Sequence, residues 1–144
     1  MSEITFFAPG DPRPQGSAKA FVVGKRAVVT TATKGLYPWR ATVGASARAE
    51  GVSPAMAPER GPVSVGLAFV FRRPPSHFTG KGALRSGAPK NIGKPDLDKL
   101  CRAVLDALTG VAWDDDSQVV GILATKTYAV TESDPAGVHV TLTY

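Results

Sequence analysis

KPDLDKLCRAVLDALTG, residues 94–110, followed at residues 114–119 by DDDSQV, decides how this chain is read. Leu97, Leu100, Cys101, Val104, Leu105 and Leu108 recur at alternating steps of three and one, which sets them on one face of an α-helix. Lys99, Arg102 and Asp106 take the other face. Pro95 and Asp96 form a start signal and Gly110 a stop. Asp96 and Asp98 fall in the first turn, where free backbone N–H groups and the helix dipole favour negative charge. One acid there needs no role beyond capping. Past Gly110 the chain turns through Val111 and Trp113 into three consecutive aspartates, then into an apolar strand.

Asp114, Asp115 and Asp116 repel one another and are poor strand formers. Their placement is costly unless a cation or a basic partner offsets it, the alternative being a solvated turn. If the strand returns beside the start of the helix, one or two of them join Asp96 and Asp98. Carboxylates of this type, completed by water, suit Mg²⁺ or Mn²⁺ rather than zinc. Arg102 stands one turn after Asp98, where it either stabilises charge on a transition state or pairs with Asp98 or Asp106.

On the N-terminal side, Ile4–Phe7 reads as a short strand stopped by Pro9-Gly-Asp-Pro-Arg-Pro-Gln-Gly16. Ala20–Val23 and Ala27–Thr31 flank a glycine turn and read as a hairpin. The Ala-rich stretch 36–50 reads as a helix, with Pro38 in its first turn and Gly51 at its end. Pro62–Phe71 reads as a strand apolar on both faces, which places it in the centre of a sheet, buried on both sides or close to it. Gln118–Thr127 and Val138–Leu142 read as closing strands. The expected fold is α+β: a single domain over residues 1–144, a mixed β-sheet packed by two main helices.

The composition is that of an ordinary globular domain, with 43% hydrophobic and 20% charged residues in 144. A single cysteine, Cys101, rules out an internal disulfide and fits a reducing, cytoplasmic setting. Val63–Phe71 is too short to cross a bilayer, so no membrane partner is expected. The net charge is +5, unevenly spread: residues 1–95 hold 14 basic and 4 acidic side chains, residues 96–144 only 3 basic and 8 acidic. A basic surface beside a compact acidic cluster suits a polyanion-binding protein that also holds a divalent cation. Residues 72–95 form a long basic loop with no acid in it, so an anionic partner or a solvated mobile loop follows.

KPDLDKLCRAVLDALTG, DDDSQVV and the later Lys126 together resemble the signature of the RusA family of Holliday junction resolvases, common in phages and prophages. That pattern runs Lys-Pro-Asp-x-Asp-Asn-Leu, a basic residue two further on, Leu-Asp-Ala-Leu, then Asp-Asp-x-Gln-Val with a later Lys. Residues 94–128 carry the match, and Pro9–Lys34 and Arg72–His77 extend it more loosely. The resemblance implies a RusA-like homodimer acting in the cytoplasm of a bacterial host. It implies a Mg²⁺-dependent structure-selective endodeoxyribonuclease that resolves four-way junctions by paired nicks, a metal-activated water attacking the phosphodiester. Asp96, Asp98 and Asp116 are then the metal carboxylates, with Asp115 as a neighbouring helper.

The family's catalytic lysine falls on Arg102, which keeps the charge but cannot act as a general base, since guanidinium does not deprotonate. Lys99 replaces the usual Asn. DNA contacts are expected from Arg13, Lys19, Lys25, Arg26, Arg72, Arg73, Lys81, Lys94, Lys99 and Lys126. The alternatives are a nuclease preferring flaps or forks, and a non-catalytic junction-binding protein, the latter favoured by the Arg102 substitution. Phe78 and Tyr37 lie among basic residues and are candidates for stacking on exposed bases. Trp39, Trp113 and the apolar central strand are candidates for a dimer interface. His77 and His139 are too separated for zinc, Cys101 belongs to the apolar helix face, and Gly10–Gly16 lacks phosphate-loop spacing.

Overall fold

Every strand and helix expected from the sequence forms. The computed structural model describes residues 2–16, 19–30, 34–89 and 92–144. Its elements are β1 (Glu3–Pro9), β2 (Lys19–Val23), β3 (Arg26–Thr30), α1 (Leu36–Ala49), β4 (Val63–Phe71), α2 (Leu97–Leu108), β5 (Val119–Tyr128) and β6 (Gly137–Thr143). Thr31 of the expected hairpin and Lys90 of the basic loop lie outside the described residues. The main sheet runs β1-β6-β4-β5, antiparallel except for the parallel β4–β5 pair, while β2 and β3 form a separate two-stranded ribbon. This is an α+β fold with a mixed sheet and two helices.

The parallel pair follows from the connection. Antiparallel strands join through tight turns, whereas parallel ones need a crossover, here supplied by α2. Burying the apolar stripe of α2 is what holds the crossover on the sheet: Leu100, Ala103, Val104 and Leu108 are fully buried. α1 packs across α2 where Gly44 meets the carbonyl of Ala107, and a Cβ at Gly44 would lie 3.6 Å from that oxygen. Ala and Gly at the crossing bring the two helix axes close.

β4 is central, between β6 and β5, as its apolar run requires. Its second face departs from expectation. Val63, Val65, Leu67 and Phe69 are buried beneath the helices, but Ser64 is exposed and Gly66, Ala68 and Val70 are half-buried. Among the described residues no helix covers that face, because both helices lie on the other. Trp39 and Trp113 are buried within the chain, so neither is available for an interface. The large apolar side chains that do face solvent include Val120, Ile122 and Leu123, all on the edge strand β5.

Leu100→Ala, at a fully buried position of α2, is expected to cost about 2–5 kcal/mol of unfolding free energy, read as a lowered midpoint in urea denaturation.

Candidate active site

α2 sets the geometry of the acids. Asp96 occupies its N-cap position with extended backbone (φ −67°, ψ 139°), and its carbonyl accepts the first helical bond from Leu100. Its carboxylate does not cap the helix. It lies 3.8 Å from Lys99 Nζ instead, which accounts for Lys99 beside the acids. Asp98 is exposed in the first turn.

The three consecutive aspartates coexist because each has a different partner. Asp114 faces Arg60 at 3.8 Å. Asp115 caps the turn that follows, its carboxylate accepting from Ser117 N at 2.8 Å. That bond, with a second from the Ser117 hydroxyl and a smaller pull from Arg60, holds Asp115 below the usual carboxylate range. Asp116 Oδ1 accepts from the Thr109 hydroxyl and, at 3.4 Å, from the indole N–H of buried Trp113. Trp113 also donates to Thr109 Oγ1 at 3.2 Å.

Gln118 locks this turn. Its Oε1 accepts from the backbone N–H groups of Asp114 (2.9 Å) and Asp115 (3.1 Å), and its Nε2 donates to Gly61 O (3.1 Å). A buried amide with both ends engaged fixes the backbone that carries all three acids. Gln118, Thr109 and Trp113 are the functional supports that the sequence reading missed. Gln118 stands in the quoted Asp-Asp-x-Gln-Val pattern, but for Thr109 and Trp113 spacing gives no signal, because their bonds are set by the turn after α2.

A cleft of 390 Å³ runs along α2, lined by Asp98, Cys101, Arg102, Leu105, Asp106, Asp116 and Ile122. Arg102 makes no ion pair with Asp98 or Asp106, so its guanidinium is free to serve the cleft. Asp106, assigned only to the polar face from sequence, also lines it. Burial, reinforced by Asp98, pushes the Cys101 thiol up, which keeps it protonated and unreactive.

The expected meeting of the acids within one chain does not occur. Lys126 on β5 donates to Gly93 O (2.9 Å) and Pro95 O (2.8 Å), just before α2, while Asp116 bonds Thr109 at the far end of α2. β5 therefore runs antiparallel to α2, and its start lies beside the C-terminus of the helix. Asp98 and Thr109 are separated by about 16 Å along the axis at ~1.5 Å per residue. Among the described residues, no three His, Cys, Asp or Glu side chains are gathered as a metal-holding group. The donor chemistry fits a hard cation; the spacing within a single chain does not. Asp96 and Asp115 stand outside the cleft.

The basic residues divide into free and engaged groups. Arg13, Lys25, Arg26, Arg72, Lys81 and Lys94 are exposed, Lys25 and Arg26 at the turn of the β2–β3 ribbon. Arg73 is tied down, donating to Pro89 O at 2.9 Å and lying 4.4 Å over the Tyr128 ring. Lys126 is likewise committed to the carbonyls before α2 rather than held out toward a phosphate. The side chain of Lys19 lies outside the described residues. Phe78 is 5% exposed and bridges to Leu84 across the basic loop, so its ring is not open to stacking, whereas Tyr37 is 60% exposed. His77 packs edge-on to Tyr128, and His139 beside Phe7.

The family model described as endodeoxyribonuclease RusA matches residues 9–143, nearly the whole chain. The chain is also 28% identical over 135 residues to the uncharacterized protein YqaN of Bacillus subtilis (strain 168), covering 90% of each.

Gln118→Ala leaves two backbone N–H groups and the Gly61 carbonyl without partners and is expected to cost about 1–3 kcal/mol, measured by chemical denaturation. Because the carboxyl of Asp115 is lowered in the fold, its stabilising bond is present above the unfolded value and lost as pH falls through the folded one. Asp115→Asn is expected to flatten that acid-side loss of stability in melting curves taken across the acidic range.

Proposed function

The chain belongs to the RusA endodeoxyribonuclease family, and from that premise we propose that it is a Mg²⁺-dependent nuclease that resolves four-way DNA junctions as a two-fold dimer. The observation that carries this reading is the cleft along α2, where the family-motif residues Asp98, Arg102 and Asp116 line one surface of a strongly basic chain. A divalent ion supplies polarisation of the phosphoryl oxygen and a lowered pKa for bound water. Asp96, Asp98 and Asp116 are its proposed oxygen donors, and Mn²⁺ is expected to substitute for Mg²⁺.

The chain's own residues do the rest. Arg102 supplies a permanent charge that stabilises the developing negative charge on the phosphate without moving a proton. Thr109 and Trp113 hold one oxygen of Asp116 and leave the other to the cleft. Lys25 and Arg26 on the ribbon, with Arg13, Arg72, Lys81 and Lys94, grip phosphates by charge and shape, which positions the duplex arms but reads no sequence. A four-way junction has paired equivalent strands, and an isologous dimer presents identical sites to them. No helix among the described residues is long and apolar enough to cross a membrane.

A second reading, junction binding without cleavage, is favoured by one residue, the arginine at position 102 where the family pattern carries lysine. Incubating the protein with a synthetic four-way junction, a fork and a linear duplex, each with Mg²⁺ or with EDTA, separates the readings. Symmetric Mg²⁺-dependent nicks in the junction are the expected result; preferential cutting of the fork would move the substrate to flaps and forks. Binding with no nicks at any protein concentration would leave only the second reading. Asp96→Asn and Asp116→Asn are each expected to abolish cleavage while junction binding, read by gel shift, stays equal or tightens, because a negative charge near phosphate is removed.

A further inference from the structure

The basic loop between β4 and α2 contains a small built element. Phe78 and Leu84 pair antiparallel, flanked by bonds from Thr79 N to Ala83 O (2.7 Å) and from Arg85 N to His77 O (2.8 Å). That pattern makes them a closely spaced pair, so Leu84 leans on Phe78, which is itself buried. Thr79 closes the turn between them. Its carbonyl accepts from Gly82 N at 2.9 Å, and its hydroxyl accepts from the backbone N–H groups of Lys81 and Ala83. A Cβ built on Gly80 or Gly82 would meet nothing within 4 Å, so the tip stands clear of the rest of the described chain. Residues 77–85 are thus a finger.

Its root is fixed close to the start of α2. The His77 ring packs edge-on to Tyr128, and Arg73 lies 4.4 Å over the same ring while donating to Pro89 O. Tyr128 is two residues beyond Lys126, about 7 Å along β5 at strand spacing. Lys126 in turn holds the carbonyls of Gly93 and Pro95. The finger therefore rises from the end of the cleft that carries Asp98.

Leu84 is 54% exposed, with Arg85 beside it and Lys81 at the tip, both exposed. Among the described residues neither cation pairs with an acid, and residues 72–95 contain no acid at all. A leucine in water between cations complements a ligand that is apolar at its centre and anionic at its rim. The face of a base pair, framed by two phosphate backbones, has that make-up. Within a duplex such faces are hidden by stacking. At a branch point the arms part, and an apolar side chain enters beside the crossover with the least unstacking to offset.

We propose that Leu84 is a wedge: the finger seats it against the base pairs at a DNA branch point while Lys81 and Arg85 hold the flanking phosphates. This contact sets the preference for branched DNA over duplex. It rests on the junction reading above for its ligand, and on the finger for its geometry.

2-Aminopurine placed beside the crossover of a synthetic four-way junction tests the wedge, because its fluorescence rises when a base loses its stacking neighbour. In EDTA, wild-type protein is expected to raise the signal on the junction and to leave it unchanged on a duplex of the same sequence. Leu84→Ser is expected to abolish the rise and to lower the ratio of junction to duplex affinity about tenfold, with an unchanged circular dichroism melt. Leu84→Met restores an apolar side chain of similar volume and is expected to recover both readouts. Lys81→Ala is expected to weaken junction and duplex binding alike, with a shallower salt dependence. A rise that survives Leu84→Ser, no rise with wild type, or a Leu84→Met protein that behaves as the serine variant overturns the proposal. Cleavage is scored separately, with Mg²⁺. A Leu84-dependent rise without nicks leaves the wedge standing and removes the nuclease reading; nicked junctions without the rise do the reverse.

Discussion

The burial of one side of α2 is the constraint on which the remainder of the molecule depends. Leu100, Val104 and Leu108 are withdrawn from water between α1 and the sheet, and this fixes both the rotation of the helix and its level along β4 and β5. Once the rotation is fixed, Asp98, Arg102 and Asp106 must line the outer cleft, because they occupy the complementary face. Once the level is fixed, the turn after Gly110 must start at the far end of the helix. The locations of the acids are therefore consequences of hydrophobic packing, and their chemistry is built on a scaffold that the acids themselves do little to stabilise.

The turn at residues 114–118 illustrates how a repulsive sequence is made tolerable. Three adjacent carboxylates are spread over three different partners, a guanidinium, a backbone N–H and a hydroxyl–indole pair, while a buried amide holds the backbone beneath them. Only Asp116 is directed to the cleft. The first two acids serve the turn, which is why a run of three need not mean three ligands.

Much of this architecture was legible in the sequence. The three-and-one spacing from Leu97 to Leu108 gave α2 its correct limits, and the apolar run at Val63 marked β4 as central. The hairpin and α1 followed from glycine, proline and alanine placement. What was not legible was the level at which β5 returns. The sequence sets the length of the turn between Gly110 and Val119 but not which end of α2 it lies against, and the expectation that Asp116 would sit beside Asp96 failed there. The bonds of Gln118 to Gly61 and of Lys126 to Gly93 span 57 and 33 residues and leave no periodic trace. Phe78 and Arg73 looked like DNA contacts because of their basic neighbourhood, yet long-range partners, the carbonyl of Pro89 and the ring of Tyr128, have claimed Arg73.

The same partners change the mechanical character of the basic loop. Lys126 clamps its C-terminal side at Gly93 and Pro95, and Arg73 ties its beginning to Pro89. The Phe78–Leu84 bridge then cinches the span once more. The basic loop is therefore a segment pinned at several points, with Lys81 and Arg85 on its arc, and not a free tether. For the described residues of that loop, part of the entropy of ordering is lost when the chain itself folds.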